Sequence, residues 1–178
     1  NGTCNFILTQ MELEGRSFEE ILLDAQRLGY AEAEPSFDVD GFDAQHKAGI
    51  LASLAHGFWI RPNQIFVEGI RHITTLDIQF ARHLGYCIKL LGIVKKIGDK
   101  VQIVVHPTLV PEKHVLANVS GVYNAILVRG DIVGDTLYYG QGAGADATAS
   151  AVLSDLADAS LDLKNVSMGR VPPFVPHD

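Results

Sequence analysis

The stretch GYAEAEPSFDVDGFDAQHK, residues 29–47, gathers five carboxylates and one lysine around two turn signals and then runs into an apolar helix. Pro35 forces Glu34 out of helical geometry and Asp40-Gly41 is a turn dipeptide, so residues 31–41 are expected to form a loop between two helices. The next helix should start near Phe42. Asp43 and Lys47 are four apart, so they share a face, which continues as Ile50, Leu51 and Leu54. From Ala44 to Ile60 the only formal charge is Lys47, which predicts a helix buried on most sides. Its ammonium must then meet carboxylates or a substrate. Burial and neighbouring acids push a lysine's pKa in opposite directions, and that is the tuning general acid–base chemistry needs. By local pattern alone, the simpler reading is an i,i+4 pair worth roughly 0.2–0.5 kcal/mol behind a solvated acidic loop.

On the N-terminal side, Phe6, Ile7, Met11 and Leu13 have a roughly helical period over residues 3–13, closed by Gly15. Ser17 with Glu20 makes a capping box for a second helix, with Ile21, Leu22, Ala25 and Leu28 as its stripe and Gly29 as its stop. On the C-terminal side, the helix that holds Lys47 ends near His56-Gly57. A short extended piece at 65–67 follows, then a helix over 76–84 capped by Thr75, with Leu76, Phe80, Ala81 and Leu84 inward and Gly85 as the stop. At Tyr86 the texture turns to strand. Residues 87–94 and 101–105 form a hairpin around Gly98-Asp99, and Pro107 and Pro111 bracket a connection. A turn or two of helix is expected over 115–119, then two strands, 122–129 and 132–139, around Gly130-Asp131. A last helix is expected over 147–159. Helices come early and hairpins late, so the fold class is α+β: a largely antiparallel or mixed sheet with helices packed on one face. One domain over residues 1–170 and a proline-rich linker or tail at 171–178 complete the organisation.

A chain of 178 residues can bury a full core without staples. A net charge of −7 with scattered Lys and Arg argues against nucleic acid or an anionic membrane as partner. No apolar run reaches transmembrane length. Cys4 and Cys87 lie far apart without CxxC spacing, which fits a reduced, cytoplasmic setting better than a disulfide framework. The seven histidines show no HxxxH or HExxH spacing, so no metal is expected. There is no GxSxG and no basic, exposed setting for either thiol. Gly140-Gln141-Gly142-Ala143-Gly144 before a helix invites a phosphate-binding reading, but the spacing is not a dinucleotide fingerprint and no βαβ unit follows, so a turn or packing role is the simpler one.

Read as whole segments, these residues resemble the homoserine dehydrogenases. Gly29, Tyr30, Glu32, Ala33, Glu34 and Pro35, then Asp38, Val39, Gly41, Asp43 and Lys47, match that family's catalytic signature. Asn1-Gly2-Thr3-x-Asn5-Phe6 resembles its Asn-Gly-Thr-Thr-Asn-Tyr segment, with Cys4 and Phe6 as departures. Gly142, Ala143, Gly144, Thr148 and Ala149 match its late glycine-rich segment. The resemblance implies the catalytic, substrate-binding and dimerisation domain of an enzyme that interconverts L-homoserine and L-aspartate 4-semialdehyde with NAD or NADP. It implies Lys47 and Asp38 as catalytic residues and Glu32, Asp43, Thr3 and Tyr30 as substrate contacts. Gly29 and Gly144 would be peripheral contacts to a dinucleotide held mainly by a Rossmann domain that in this family precedes the Asn-Gly-Thr segment and is not encoded here. A homodimer formed through the sheet is implied as well. Lys89 matches a family run too, yet a lone lysine on an apolar strand is as easily an ion-pair partner. A non-catalytic dimerisation module, or the substrate domain of another amino-acid dehydrogenase, remains the alternative.

Overall fold

The computed structural model describes residues 1–142 and 144–164, so the expected tail at 171–178 and the contribution of Ala143 to the glycine-rich turn lie outside the described residues. Helix α1 (Gly2–Glu14) is capped by the Asn1 side chain and stopped by Gly15 at φ 67°. Helix α2 (Phe18–Arg27) carries the expected Ser17/Glu20 capping box. The expected loop at 31–41 is corrected: Ser36–Val39 form a single helical turn, α3. Proline restricts the residue before it but opens a helical turn readily, and here the Val39 N–H donates to Pro35 O at 3.0 Å.

Helix α4 (Phe42–His56) begins where expected but presents a different face. Ala44, Ala48 and Ala52 are buried, whereas Ile50, Leu51 and Leu54 are exposed, which corrects the expected stripe. The reason is distance. A Cβ added at Gly92 would lie 3.0 Å from Ala48 Cβ, so the helix rides close over the sheet and only small residues fit beneath it. Strand β1 (Phe66–Val67) and helix α5 (Thr75–His83) follow. The α5 cap is Thr74 and not Thr75, and Ile78 and Ala81 are the buried pair; Leu76, Phe80 and Leu84 are exposed. Leu13 and Leu28 are likewise exposed.

Strands β2 (Tyr86–Ile97) and β3 (Lys100–Pro111) pair antiparallel along their full length, Tyr86 opposite Pro111 and Ile97 opposite Lys100. The strand therefore continues through Pro107, where a connection was expected. Among the described residues β1 pairs in parallel with β3 only at Val104 and Val105, so both prolines lie where one edge of β3 has no paired strand and a missing N–H costs little. A second hairpin, β4 (Tyr123–Gly130) and β5 (Gly134–Gln141), forms its own two-stranded sheet and leads to α6 (Ala145–Lys164). The architecture is thus mixed α/β, with a mostly antiparallel sheet of order β1-β3-β2 and helices packed alongside, as expected. Two buried clusters hold it together. One joins α1, α2, Val39, Ile70 and Ile78 against Ile88 and Leu90; the other joins the alanines of α4, Ile60, Ile65 and Val105.

Candidate active site

The start of α1 meets α3 and the start of α4, and their polar side chains converge there. Asn1 uses its amide completely. Its Oδ1 accepts the Cys4 N–H at 2.9 Å as the helix cap. Its Nδ2 donates one hydrogen to Asp38 Oδ1 at 2.6 Å and the other to Asp43 Oδ2 at 2.7 Å. Lys47 Nζ donates to the same Asp43 oxygen at 2.8 Å. Burial works against the Asp43 carboxylate, but the hydrogen bonds from Lys47 and Asn1 outweigh it and leave its pKa below the ordinary value of 3.8.

Thr3 completes the cluster. Its hydroxyl lies 2.8 Å from the Tyr30 carbonyl oxygen and 2.9 Å from Asp38 Oδ2. A hydroxyl has one proton to give, so these two acceptors compete for it and the cluster is one donor short. The Tyr30 ring packs on Phe6 at 4.9 Å between centroids, which fixes the backbone that presents this carbonyl.

Asp38, Asp43, Lys47, Thr3 and Tyr30 are therefore brought together. The Lys47 ammonium meets a carboxylate as expected: Asp43 anchors it at the mouth of the cluster, with the lysine side chain 60% exposed. Glu32 stands apart. Its residue is exposed, its main-chain oxygen accepts from Gln26 Nε2 at 3.0 Å, and among the described residues its carboxylate has no partner. Gly29 (φ 77°) and Gly144 (φ 112°) occupy left-handed turns with open space where a side chain would stand. The glycine-rich turn approaches the cluster through Asn124, since a Cβ at Gly142 would fall 2.5 Å from Asn124 Nδ2 and one at Gly2 would lie 3.5 Å from the same atom. Among the described residues no three His, Cys, Asp or Glu side chains gather as a metal site, and no helix is long and apolar enough to cross a membrane.

Sequence reasoning missed three contributors. Asn1 was read only as the start of a motif that presents Thr3, although an asparagine before a helix is itself a capping signal. Cys4 donates through Sγ to Asp38 O at 3.2 Å. Arg71 grips the turn from outside: Nε donates to Asp40 Oδ1 at 2.7 Å, and Nη2 donates to Asp40 Oδ2 and to Ser36 Oγ, both at 3.0 Å. No local pattern links residues so far apart in sequence.

Comparison with known proteins gives one answer. The family model described as homoserine dehydrogenase matches residues 1–157. A homoserine dehydrogenase from Pseudomonas aeruginosa is 49% identical over 172 residues, covering 97% of this chain and 40% of that protein. A crystal structure of a homoserine dehydrogenase from Thiobacillus denitrificans superposes with a TM-score of 0.92 at 49% identity, over 98% of this chain and 40% of that one. A hyperthermophilic archaeal homoserine dehydrogenase in complex with NADPH superposes with a TM-score of 0.74 at 32% identity, over 91% of this chain and 46% of that one. The chain spans about two fifths of the length of the curated relatives it matches.

Proposed function

Because the chain belongs to the homoserine dehydrogenase family, we propose that it is the catalytic and substrate-binding region, residues 1–170, of an enzyme that interconverts L-homoserine and L-aspartate 4-semialdehyde on the route to threonine and methionine. The observation that carries this reading is the convergence of Asp38 and Asp43 on the one amide of Asn1, with Lys47 held by Asp43. An amino-acid substrate brings an ammonium, and that group supplies the donor the Thr3, Tyr30 and Asp38 oxygens lack. Glu32, exposed and apart from the cluster, is carried as a further substrate contact by the family likeness alone. Lys47 faces the reacting oxygen. In the reducing direction the aldehyde oxygen takes the electron pair of its C=O bond, and Lys47 stabilises that charge and gives up a proton to form the hydroxyl; in the oxidising direction it takes the proton back. Asp43 keeps Nζ in place and Asp38 orients the cluster.

The hydride that forms the new C–H bond at the aldehyde carbon would come from NADH or NADPH, and in the oxidising direction would return to NAD⁺ or NADP⁺, two-electron chemistry that no side chain here can supply. The residues present fit a dinucleotide approaching from the glycine side. Gly29 and Gly144 leave open space at exposed backbone, and Gly142 sits against Asn124 beside the start of α1. That the archaeal relative is in complex with NADPH supports a dinucleotide cofactor. The two free, buried thiols suit a cytoplasmic enzyme. A homodimer through the sheet suits the exposed apolar residues of the β4–β5 hairpin, among them Ile126, Val128 and Tyr138.

The test is Lys47→Ala in the full-length protein that carries this chain. Homoserine oxidation should fall by roughly 10²-fold or more with the fold intact. Wild-type turnover in that variant would overturn the catalytic reading in favour of a non-catalytic module.

A further inference from the structure

Lys89 is a charged residue in the apolar first half of β2, only 7% exposed, and among the described residues no carboxylate lies within ion-pair distance of it. Its Nζ donates to Val119 O at 2.7 Å and to Asn5 Oδ1 at 3.2 Å. Burying an ammonium without a counter-charge is costly, and an apolar chain of similar length would pack at less expense, so stability alone does not account for it. Burial pushes its pKa down accordingly.

What the lysine organises is a clamp. Asn5, fixed by Lys89 through its oxygen, turns its Nδ2 toward three alternate carbonyls of the turn that leads into β4, which share its two hydrogens: Val119 O at 3.0 Å, Gly121 O at 3.0 Å and Tyr123 O at 3.1 Å. One turn further along α1, Thr9 Oγ1 accepts the Gly121 N–H at 3.2 Å. The segment 119–123 is thereby fastened to α1. That segment leads directly into Asn124, which lies against both Gly2 and Gly142. Asn1, one helical turn before Asn5, holds the two acids. The clamp thus fixes the spacing between the acid cluster at the start of α1 and the glycine-rich turn at 140–144. A cavity of about 70 Å³, lined by Asn1, Asn5, Lys89, Tyr123 and Asn124, runs beside it, so the join is not packed solid and depends on these bonds.

We propose that Lys89 is a positioning residue which, through Asn5 and the 119–123 segment, sets the distance between the substrate acids and the glycine-rich turn. The proposal rests on the dehydrogenase reading of the site. Among the described residues Lys89 pairs with no acid; it acts through Asn5 and through its own bond to Val119 O.

The experiment is Lys89→Met in the full-length protein, with turnover, melting and amide exchange measured together. Expected are an unchanged or higher melting temperature, a kcat lowered by about tenfold or more and a KM for homoserine within about threefold, since alignment is lost and ground-state binding is not. Amide exchange at Gly121 should quicken. Should Lys89→Met fail to fold, Asn5→Ala tests the same clamp from its other side, with the same kinetic split expected. Wild-type kcat, or a fall in rate matched by a loss of folded protein, overturns the proposal. A wild-type protein inactive on homoserine would sink the dehydrogenase reading instead. In that event unchanged exchange at Gly121 still overturns the clamp, and faster exchange supports it.

Discussion

Substituting Gly69 by alanine tests whether the acid-bearing turn is held by steric contact from behind. Gly69 follows β1, and its backbone presses on α3: an added Cβ would lie 2.1 Å from Val39 O, 2.3 Å from Asp40 Cα and 2.6 Å from Asp40 C. All three are backbone atoms, so no side chain can swing aside. The φ of Gly69 is not positive, so alanine gives up no left-handed backbone here, and the steric overlap outweighs the roughly 0.4–1 kcal/mol that alanine gains by stiffening the unfolded chain. Relief of the overlap needs a shift of roughly 1 Å between the two segments, in an interior packed at crystal density. That shift breaks or stretches the Ile70 N–H to Val39 O hydrogen bond, now 2.8 Å, beside Ile70 and Val39 side chains that are fully buried. Overpacking contributes about 1–3 kcal/mol and the hydrogen bond about 1 kcal/mol, so Gly69→Ala should destabilise by about 2–4 kcal/mol. Because Asp38 sits on the displaced turn, a 1 Å error there should also lower kcat by up to about 10²-fold in molecules that remain folded. Urea unfolding gives the first quantity, and homoserine turnover normalised to folded protein gives the second. A variant within about 0.5 kcal/mol of wild type with full activity would refute the contact.

Two further outcomes follow from the electrostatics. Burial pushes the Cys4 thiol up to about 12, and burial raises Cys87 as well, so neither is expected to react with iodoacetamide in the folded protein near pH 8, while both react after unfolding; rapid alkylation of native Cys4, followed by mass spectrometry, would contradict the packing described. The Arg71 guanidinium holds the Asp40 carboxyl below its ordinary 3.8, so the folded state binds its proton less readily than the unfolded one. The stability this contributes is fully present above that value and lost as pH falls through the lower, folded pKa. In urea titrations the gap between wild type and Asp40→Asn should therefore shrink as the pH drops from about 6 toward 2–3, and a gap independent of pH would remove the pair's role.

Much of the fold was written in short-range chemistry. The Ser17/Glu20 box, Gly15, Gly29 and the Gly98-Asp99 turn set helix ends and the β2–β3 hairpin, because each acts on its own neighbours. What could not be read was which apolar face turns inward. Helix α4 is apolar nearly all round, and the choice of Ala44, Ala48 and Ala52 over Ile50, Leu51 and Leu54 was made by Gly92 on a strand more than forty residues away. The same holds for α5. At the site, the nearness of Asp38, Asp43 and Lys47 was legible from spacing and family likeness together. The grip of Arg71 on Asp40 and of Lys89 on Asn5 was not, since both join segments that only the folded chain brings together. The expectation that a charge-poor helix is buried on most sides failed, since α4 is exposed along one side, but its lone ammonium does meet a carboxylate, Asp43, at the rim of the cluster.

The Asn1 amide also gives the site a chemical lifetime. Asparagine followed by glycine is the dipeptide most prone to lose ammonia and become aspartate, a thermal weakness of this residue type in general. While the helix stands, Oδ1 is tied to the Cys4 N–H and Nδ2 to two acids, so the ring closure that begins the ageing reaction is obstructed. Once it happens, the nitrogen and its two donated hydrogens give way to one acceptor oxygen, and a third negative charge faces Asp38 and Asp43, with Lys47 the one ion-pair partner of the three among the described residues. An old molecule would keep its shape and lose its chemistry.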